Sequence, residues 1–156
     1  MRPRSMYETL EPRRLLSGGP AITIGDVSLA EGQDGATAYI FTVSLSKSTS
    51  KRVSVNFATE NGSATSGEDY VQKSGTLNFA GGQRSKTVTV LVNGDTTVEG
   101  NEMFAVTLSR ARNASIADGR AIGTIVNDDV LPPPTQPLPS EPEENFGGNE
   151  WLYYYY

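Results

Sequence analysis

Hydrophobic and polar residues alternate in seven short runs between Ala21 and Val126. A period of two puts every second side chain on one face of a β-strand, so each run predicts a strand with one buried face. The first run changes phase at Gly25-Asp26, which predicts a β-bulge. The hydrophobic residues that mark the runs are, in order, Ile22, Ile24, Val27 and Leu29; Phe41, Val43 and Leu45; Val53, Val55 and Phe57; Leu77 and Phe79; Val88, Val90 and Val92; Phe104, Val106 and Leu108; Ile122 and Ile125.

Turn residues separate the runs, and the composition agrees with many tight turns. The chain has 16 glycines and 9 prolines, and only 37% of its residues are hydrophobic, which suits short strands better than a helical bundle. Seven strands at this spacing predict an all-β fold, a seven-stranded antiparallel immunoglobulin-like β-sandwich. The turn signals are Gly32 to Gly35, Lys47 to Ser50, Asn61-Gly62, Gly81-Gly82, Asn93-Gly94 and Asp118-Gly119.

Composition divides the chain into three parts. Residues 1–20 contain four arginines and two glutamates and predict a disordered basic leader, with no apolar stretch of the kind that an ordinary secretory signal requires. Residues 21–130 hold the alternating runs and predict the sandwich. Residues 131–156 contain six prolines and four glutamates and predict a disordered, polyproline-like acidic tail. That tail suits a solvated spacer better than a PxxP ligand.

The composition also excludes several function classes. Cysteine and histidine are absent, which excludes disulfides, thiolate or imidazole zinc sites, and Cys or Ser-His nucleophile systems. The net charge is −5 and no basic stripe is present, which argues against a nucleic-acid partner. No apolar run approaches the roughly 18 residues that span a membrane. No nucleophile or substrate clamp is recognisable, so we expect a protein that is not an enzyme.

Carboxylates collect in the predicted turns without basic residues nearby. No Lys or Arg lies between Lys86 and Arg110, and none follows Arg120. Strands that alternate in direction bring every second loop to one end of a sandwich, where these acids would meet and repel one another. A hard cation with oxygen ligands relieves that repulsion. Singly, each acid also fits a solvated turn, a backbone cap or an edge-strand charge. The acids are Glu31, Asp69, Asp95, Glu99, Glu102, Asp128 and Asp129.

Four ordered motifs resemble the Calx-beta domain, a calcium-binding β-sandwich known from the regulatory region of sodium–calcium exchangers. They are Glu31 in Ala-Glu-Gly, the stretch Thr59 to Tyr70, the loop Asp95 to Phe104, and Gly123 to Asp129. The resemblance implies bound Ca²⁺. It implies as calcium ligands Glu31, Asp69, Asp95, Glu99, Glu102, Asp128 and Asp129.

The setting expected for such a module is extracellular or on a cell surface, in adhesion or contact with other surface proteins or domains. A short segment, Leu10 to Ser17, resembles an N-terminal motif found on large surface or secreted proteins of planctomycete bacteria. The alternative for this segment is a plain disordered leader.

Two departures from the family pattern lower the expected ligand charge. Gly94 stands where an aspartate is frequent, and Asn127 stands where the terminal aspartate run often begins. We therefore expect one principal ion, and tighter binding once both acids are restored. A metal-free spacer or protein-interaction module of the same fold is the alternative function. Carbohydrate binding is a third, with Tyr39 and Tyr70 as the available platform residues.

Overall fold

The computed structural model describes residues 18–134, and this part of the chain forms two β-sheets. One sheet has the strand order β6-β3-β1-β8 and the other β2-β9-β7-β4-β5. The predicted β-sandwich is confirmed, although the described residues contain nine strands rather than seven. The strands are β1 (Ala21–Ile24), β2 (Val27–Ala30), β3 (Ala36–Leu45), β4 (Val53–Asn61), β5 (Ser74–Phe79), β6 (Ser85–Asn93), β7 (Glu102–Arg112), β8 (Ser115–Ile116) and β9 (Arg120–Val126).

The core lies between the sheets, and period-two parity identifies most of it. On β3, β4 and β6 every second residue is buried, which matches the alternation in the sequence. On β9 the buried positions are Ala121, Gly123 and Ile125, and Ile122 is only partly buried. Gly123 lies against the Phe104 ring, where a Cβ atom would collide with the ring carbons. A glycine in this strand therefore makes room for a large aromatic core residue.

The first predicted strand is two strands in different sheets. β1 pairs with β3, whereas β2 pairs with β9, so Gly25-Asp26 is a crossing between sheets and the predicted bulge is wrong. The amide of Gly25 donates to the carbonyl of Thr42 (3.1 Å), and Asp26 Oδ1 accepts from the amide of Ile122 (2.8 Å). Hydrogen bonds on both sides thus fix the crossing. The β1–β8 and β2–β9 pairs are parallel, so the sandwich is not purely antiparallel.

Both tyrosines considered as a carbohydrate platform lie in the core. Tyr39 and Tyr70 are fully buried, and each hydroxyl donates one short hydrogen bond, to the carbonyl of Leu29 and to Asn61 Oδ1 respectively (2.6 Å each). Their rings pack beside Phe104. Buried rings offer no face to a sugar, so the structure removes the platform residues of the carbohydrate hypothesis.

Strand direction sorts the loops between two ends of the sandwich. We call the end formed by residues 31–35, 61–70, 94–101 and 127–130 the acidic end, and the end formed by residues 46–52, 80–84 and 110–120 the basic end. The chain enters the described domain at the basic end and leaves β9 at the acidic end. No helix among residues 18–134 could span a membrane. The predicted leader and tail fall largely outside the described residues, so the three-part division stays a prediction.

Candidate metal centre

Six of the seven predicted ligands meet in two groups at the acidic end. The first carboxylate group is Glu31, Asp128 and Asp129, and the second is Asp69, Glu99 and Glu102. Within each group, one carboxylate oxygen from every residue lies within 4.8 Å of the others. That spacing allows one cation to contact all three side chains of a group. The sequence predicted the convergence, and the structure adds the division into two groups.

Parallel pairing of β2 and β9 builds the first carboxylate group. Ala30 is in register with Val126, and the amide of Glu31 donates to the carbonyl of Val126 (3.3 Å). Both strands end here: Glu31 follows β2 directly, and Asp128 and Asp129 lie two and three residues after the end of β9. Asp128 Oδ1 accepts from the amide of Gly32 (3.3 Å), which ties the two strand ends together. Acids distant in sequence thus become neighbours because two strands run side by side in the same direction.

The first carboxylate group contains polar atoms that lack partners. Asp129 is only 8% exposed, and neither of its carboxylate oxygens has a hydrogen-bond partner among the described residues. The same is true of Asn127 Oδ1. Buried oxygens that accept no hydrogen bond lower the stability of the folded state. An all-oxygen set with spare lone pairs fits a hard cation such as Ca²⁺.

Burial and neighbouring negative charges both raise the pKa of Glu31 in this group. Its side chain is 8% exposed. Burial, and then the negative charges of Asp95, Asp129, Glu99 and Asp128, raise the pKa of Glu31 from 4.5 to about 7. Without a cation, this carboxyl therefore favours its protonated form between pH 4.5 and about 7, where an exposed glutamate is ionised. A bound cation would reverse that preference, because it favours the charged form.

The second carboxylate group joins the loop before β5 to the start of β7. Glu102 is the first residue of β7, Glu99 precedes it in an exposed connection, and Asp69 comes from the opposite side. Burial raises the pKa of Glu102, and the adjacent Asp69 carboxylate raises it further. Two carboxylates this close favour a shared proton or a shared cation. A proton or a cation would therefore stabilise the second group as it would the first, and the side chains of the second group are more exposed.

The stretch Asn61 to Tyr70, which we call the Asn61 loop, places Asp69 by internal bonds. Asn61 Oδ1 accepts from the Tyr70 hydroxyl (2.6 Å) and from the amide of Ser66 (3.0 Å). Asp69 Oδ2 accepts from the amide of Thr65 (2.6 Å). The Tyr70 ring stacks on Phe104 with centroids 4.5 Å apart and an angle of 19°. The hydrogen bonds within this loop therefore hold its shape, and the loop contributes Asp69 to the second carboxylate group.

Asp95 lies outside both carboxylate groups. Its Oδ1 accepts from the amide of Thr97 (2.6 Å), as in an Asx turn, and its side chain is exposed. Its charge still contributes to the raised pKa of Glu31, so it lies near the first group. The spacing of Asp95, Glu99 and Glu102 suggested one loop around one ion. In the structure, Glu99 and Glu102 belong to the second group and Asp95 faces the first. A ligand role for Asp95 stays a prediction.

Close backbone packing favours a glycine at position 94, where the family pattern often has an aspartate. A Cβ atom there would collide with the carbonyl oxygen of Gly32 and come within 2.9 Å of the carbonyl oxygen of Glu31. Its amide donates to the carbonyl of Gly35 (3.0 Å). An aspartate at position 94 would first require the loop to move, so the tighter binding expected from restoring this acid stays a prediction. Asn127 is different: its side-chain oxygen already faces inward without a partner.

The fold and site define a β-sandwich with clustered carboxylates at one end. The Calx-beta domain family matches residues 26–129, and the chain belongs to that family. No curated protein sequence matches the chain. The structure of the apo form of the Calx CBD1 domain is similar with a TM-score of 0.61 at 23% identity, covering 71% of this chain and 99% of that one.

Two further structures agree in fold. The calcium binding domain CBD12 of CALX1.1 gives a TM-score of 0.63 at 23% identity, covering 69% of this chain and 46% of that chain. The Calx CBD2 domain gives 0.61 at 16% identity, covering 69% and 88%. The described domain thus corresponds to about half of the CBD12 structure. At these identities the likeness establishes the shared fold.

Proposed function

We propose that the domain binds Ca²⁺ at the acidic end through the two carboxylate groups, with Asn127 Oδ1 as an additional ligand. The buried and unpartnered carboxylate of Asp129 carries the proposal. A buried charge with no donor nearby destabilises a fold, whereas a divalent cation supplies the missing partner. The structurally similar CBD12 of CALX1.1 is a calcium binding domain, which supports the same ligand.

Ca²⁺ suits this arrangement better than Mg²⁺. It accepts six to eight oxygen ligands in flexible geometry, while Mg²⁺ requires a compact octahedron and retains its water. The carboxylates come from loops attached to separate strands, and several of them are exposed. An open site of this kind predicts a dissociation constant of roughly 10⁻⁵–10⁻³ M, typical of extracellular modules.

The proposed mechanism is mechanical and electrostatic. Without the cation, like charges at the ends of β2 and β9 and in the adjoining loops repel one another. A bound ion would link these segments and stiffen one end of the domain. The domain carries out no reaction in this proposal. It acts as a calcium-dependent structural element in an extracellular or cell-surface protein, positioning neighbouring domains or surface proteins for adhesion.

A metal-free spacer of the same fold is the second candidate. It is favoured by the acids that already have partners within the chain: Asp69 with Thr65, Asp95 with Thr97, and Asp128 with Gly32. These bonds hold the loops without any ion. The spacer does not explain why Asp129 is buried without a donor, and for that reason we rank it second.

A thermal melt in about 0.1 M Ca²⁺ and in chelator, at matched ionic strength, tests the proposal, because this concentration is about a hundredfold above the weakest expected dissociation constant. An ion that binds only the folded state at a hundredfold excess over its dissociation constant stabilises it by about 2.7 kcal/mol. We expect a higher melting temperature with Ca²⁺ and a smaller rise with Mg²⁺. Asp118→Asn removes a carboxylate at the basic end and should leave the calcium response intact. An equal melting temperature in chelator and in Ca²⁺ would refute calcium binding but not the fold.

A further inference from the structure

Charge is separated along the long axis of the sandwich. Eight of the nine basic residues between 18 and 134 lie at or beside the basic end, where Asp118 is the only acid in the adjoining loops of this described part. This concentration is unexpected in a chain whose net charge is −5. The eight are Lys47, Lys51, Arg52, Arg84, Lys86, Arg110, Arg112 and Arg120.

The basic end also has a shaped surface. A groove of about 640 Å³ lies between the β3–β4 loop and the β7–β8 turn, lined by Pro20, Lys47, Thr49, Lys51, Asn113 and Ser115 among others. A second groove of about 510 Å³ continues from it past Ser50 and Gly82. Asn113, at a positive φ of 59°, donates from Nδ2 to the carbonyl of Arg52 (2.8 Å), which fixes one wall. The surface combines fixed walls, hydroxyl groups and lysine charges.

We propose that this groove binds the acidic, proline-rich segment 135–150 of the same chain. That segment contains Glu141, Glu143, Glu144 and Glu150 and no basic residue, so its charge complements the basic end. Prolines at 137, 139 and 142 favour an extended polyproline conformation, which loses little entropy on binding and lies flat in a shallow groove. The proposal does not depend on calcium binding.

The length of the chain after Val130 matches the distance from the acidic end to the basic end. The longest strands have 10 and 11 residues, and at about 3.4 Å per residue they span roughly 34–37 Å from one end to the other. Polyproline advances about 3.1 Å per residue. Counted from Val130 at the acidic end, Glu141 lies eleven residues on, about 34 Å in extended form. The three clustered glutamates therefore reach the basic end when the segment runs along the sandwich.

Energy transfer from Trp151 tests this proposal in the chain of 156 residues. Trp151 is the single tryptophan, and cysteine is absent, so one introduced cysteine gives one labelled position. A dansyl acceptor on Ala117→Cys, exposed at the basic end but outside the lining of both grooves, marks that end, and one on Thr96→Cys marks the acidic end. With chelator at low salt, we expect more transfer to position 117 than to position 96. In about 1 M salt, where screening acts over about 3 Å, that order should reverse.

Charge variants and dilution distinguish the occupants. Glu141→Gln/Glu143→Gln/Glu144→Gln and Lys47→Gln/Lys51→Gln should each lower transfer to position 117 severalfold, whereas Lys73→Gln, outside the basic end, should not. Transfer that persists on dilution by about a hundredfold supports binding within one chain. Transfer lost on dilution would assign the segment to a second copy and overturn the proposal. Transfer to position 117 that is unchanged by salt and by both sets of variants would also overturn it.

Discussion

The Asn61 loop and the end of β9 both supply carboxylates to the acidic end, but they are held in opposite ways. The Asn61 loop satisfies its polar atoms internally, through the Asn61–Tyr70 and Asp69–Thr65 hydrogen bonds, and stacks on Phe104. At the end of β9, by contrast, the carboxylate oxygens of Asp129 and the side-chain oxygen of Asn127 are buried without a hydrogen-bond partner in residues 18–134. The first region is complete without an ion, and the second is not. Calcium dependence should therefore concentrate at the end of β9.

Removing the Phe104 ring, on which the Asn61 loop packs through Tyr70, should produce the largest change in the free energy of unfolding. Phe104 packs beside Tyr39, Phe41 and Tyr70 and is 1% exposed. Phe104→Ala should lower the free energy of unfolding by about 3–5 kcal/mol, because it leaves a core cavity. Denaturant titration should give a similar loss with Ca²⁺ and with chelator. A loss confined to the chelator sample would mean that the ion, not the aromatic packing, holds this loop.

A matched pair of charge-removing variants compares the two regions directly. In chelator, Asp129→Asn should raise the free energy of unfolding by on the order of 1 kcal/mol, because it removes a buried charge without a donor. Asp69→Asn should change it little, because an asparagine oxygen can still accept the 2.6 Å bond from the amide of Thr65 and the lost charge relieves repulsion from Glu102. Denaturant curves in chelator measure both. Equal shifts of the same sign would contradict the distinction between the regions.

Calcium titration of the same pair sharpens the comparison. Isothermal calorimetry should show that Asp129→Asn weakens calcium binding more than Asp118→Asn, which removes a carboxylate at the basic end. Asp69→Asn should fall between these two, because it removes one charge from the second carboxylate group. An unchanged affinity in Asp129→Asn would remove the residue that carries the calcium proposal.

A pH dependence of the calcium-free domain should report on the first carboxylate group without any substitution there. Between pH 4.5 and about 7, folded Glu31 retains a proton that the unfolded chain has lost. The folded state binds more protons, so the free energy of unfolding should fall as pH rises through this window. Calcium affinity should rise over the same range, since the ion displaces that proton. Denaturant curves in chelator check the slope, and Glu31→Gln should flatten it; a rising slope would contradict the raised pKa.

The sequence predicted what depends on alternation and order along the chain. Parity identified Phe41, Phe79 and Phe104 as core residues, and loop counting brought the acids to one end. It did not predict contacts that depend on how strand ends meet. The crossing at Gly25-Asp26 has the same phase change as a bulge, so the pattern alone cannot distinguish them.

Two features of the candidate site were beyond sequence reasoning for similar reasons. The close approach of Gly94 to Gly32 joins loops about sixty residues apart, and glycine content alone gives no sign of it. The burial of Asp129 depends on the packing around the end of β9, whereas in the sequence it looks like the start of an acidic linker. Asn127 had one signal, its place at the head of the terminal acidic run.

The parallel β2–β9 pair determines how the domain would respond to a pulling force. Both strands run from the basic end to the acidic end. The chain enters the domain near residue 20 at the basic end and leaves it near residue 130 at the acidic end, so tension on these two residues acts along the strands. Four registered residue pairs, from Val27–Gly123 to Ala30–Val126, would then be loaded in shear together rather than opened one by one. Glu31 follows β2 directly and Asp128 lies two residues after β9, so an ion held between them would resist sliding of the two strands.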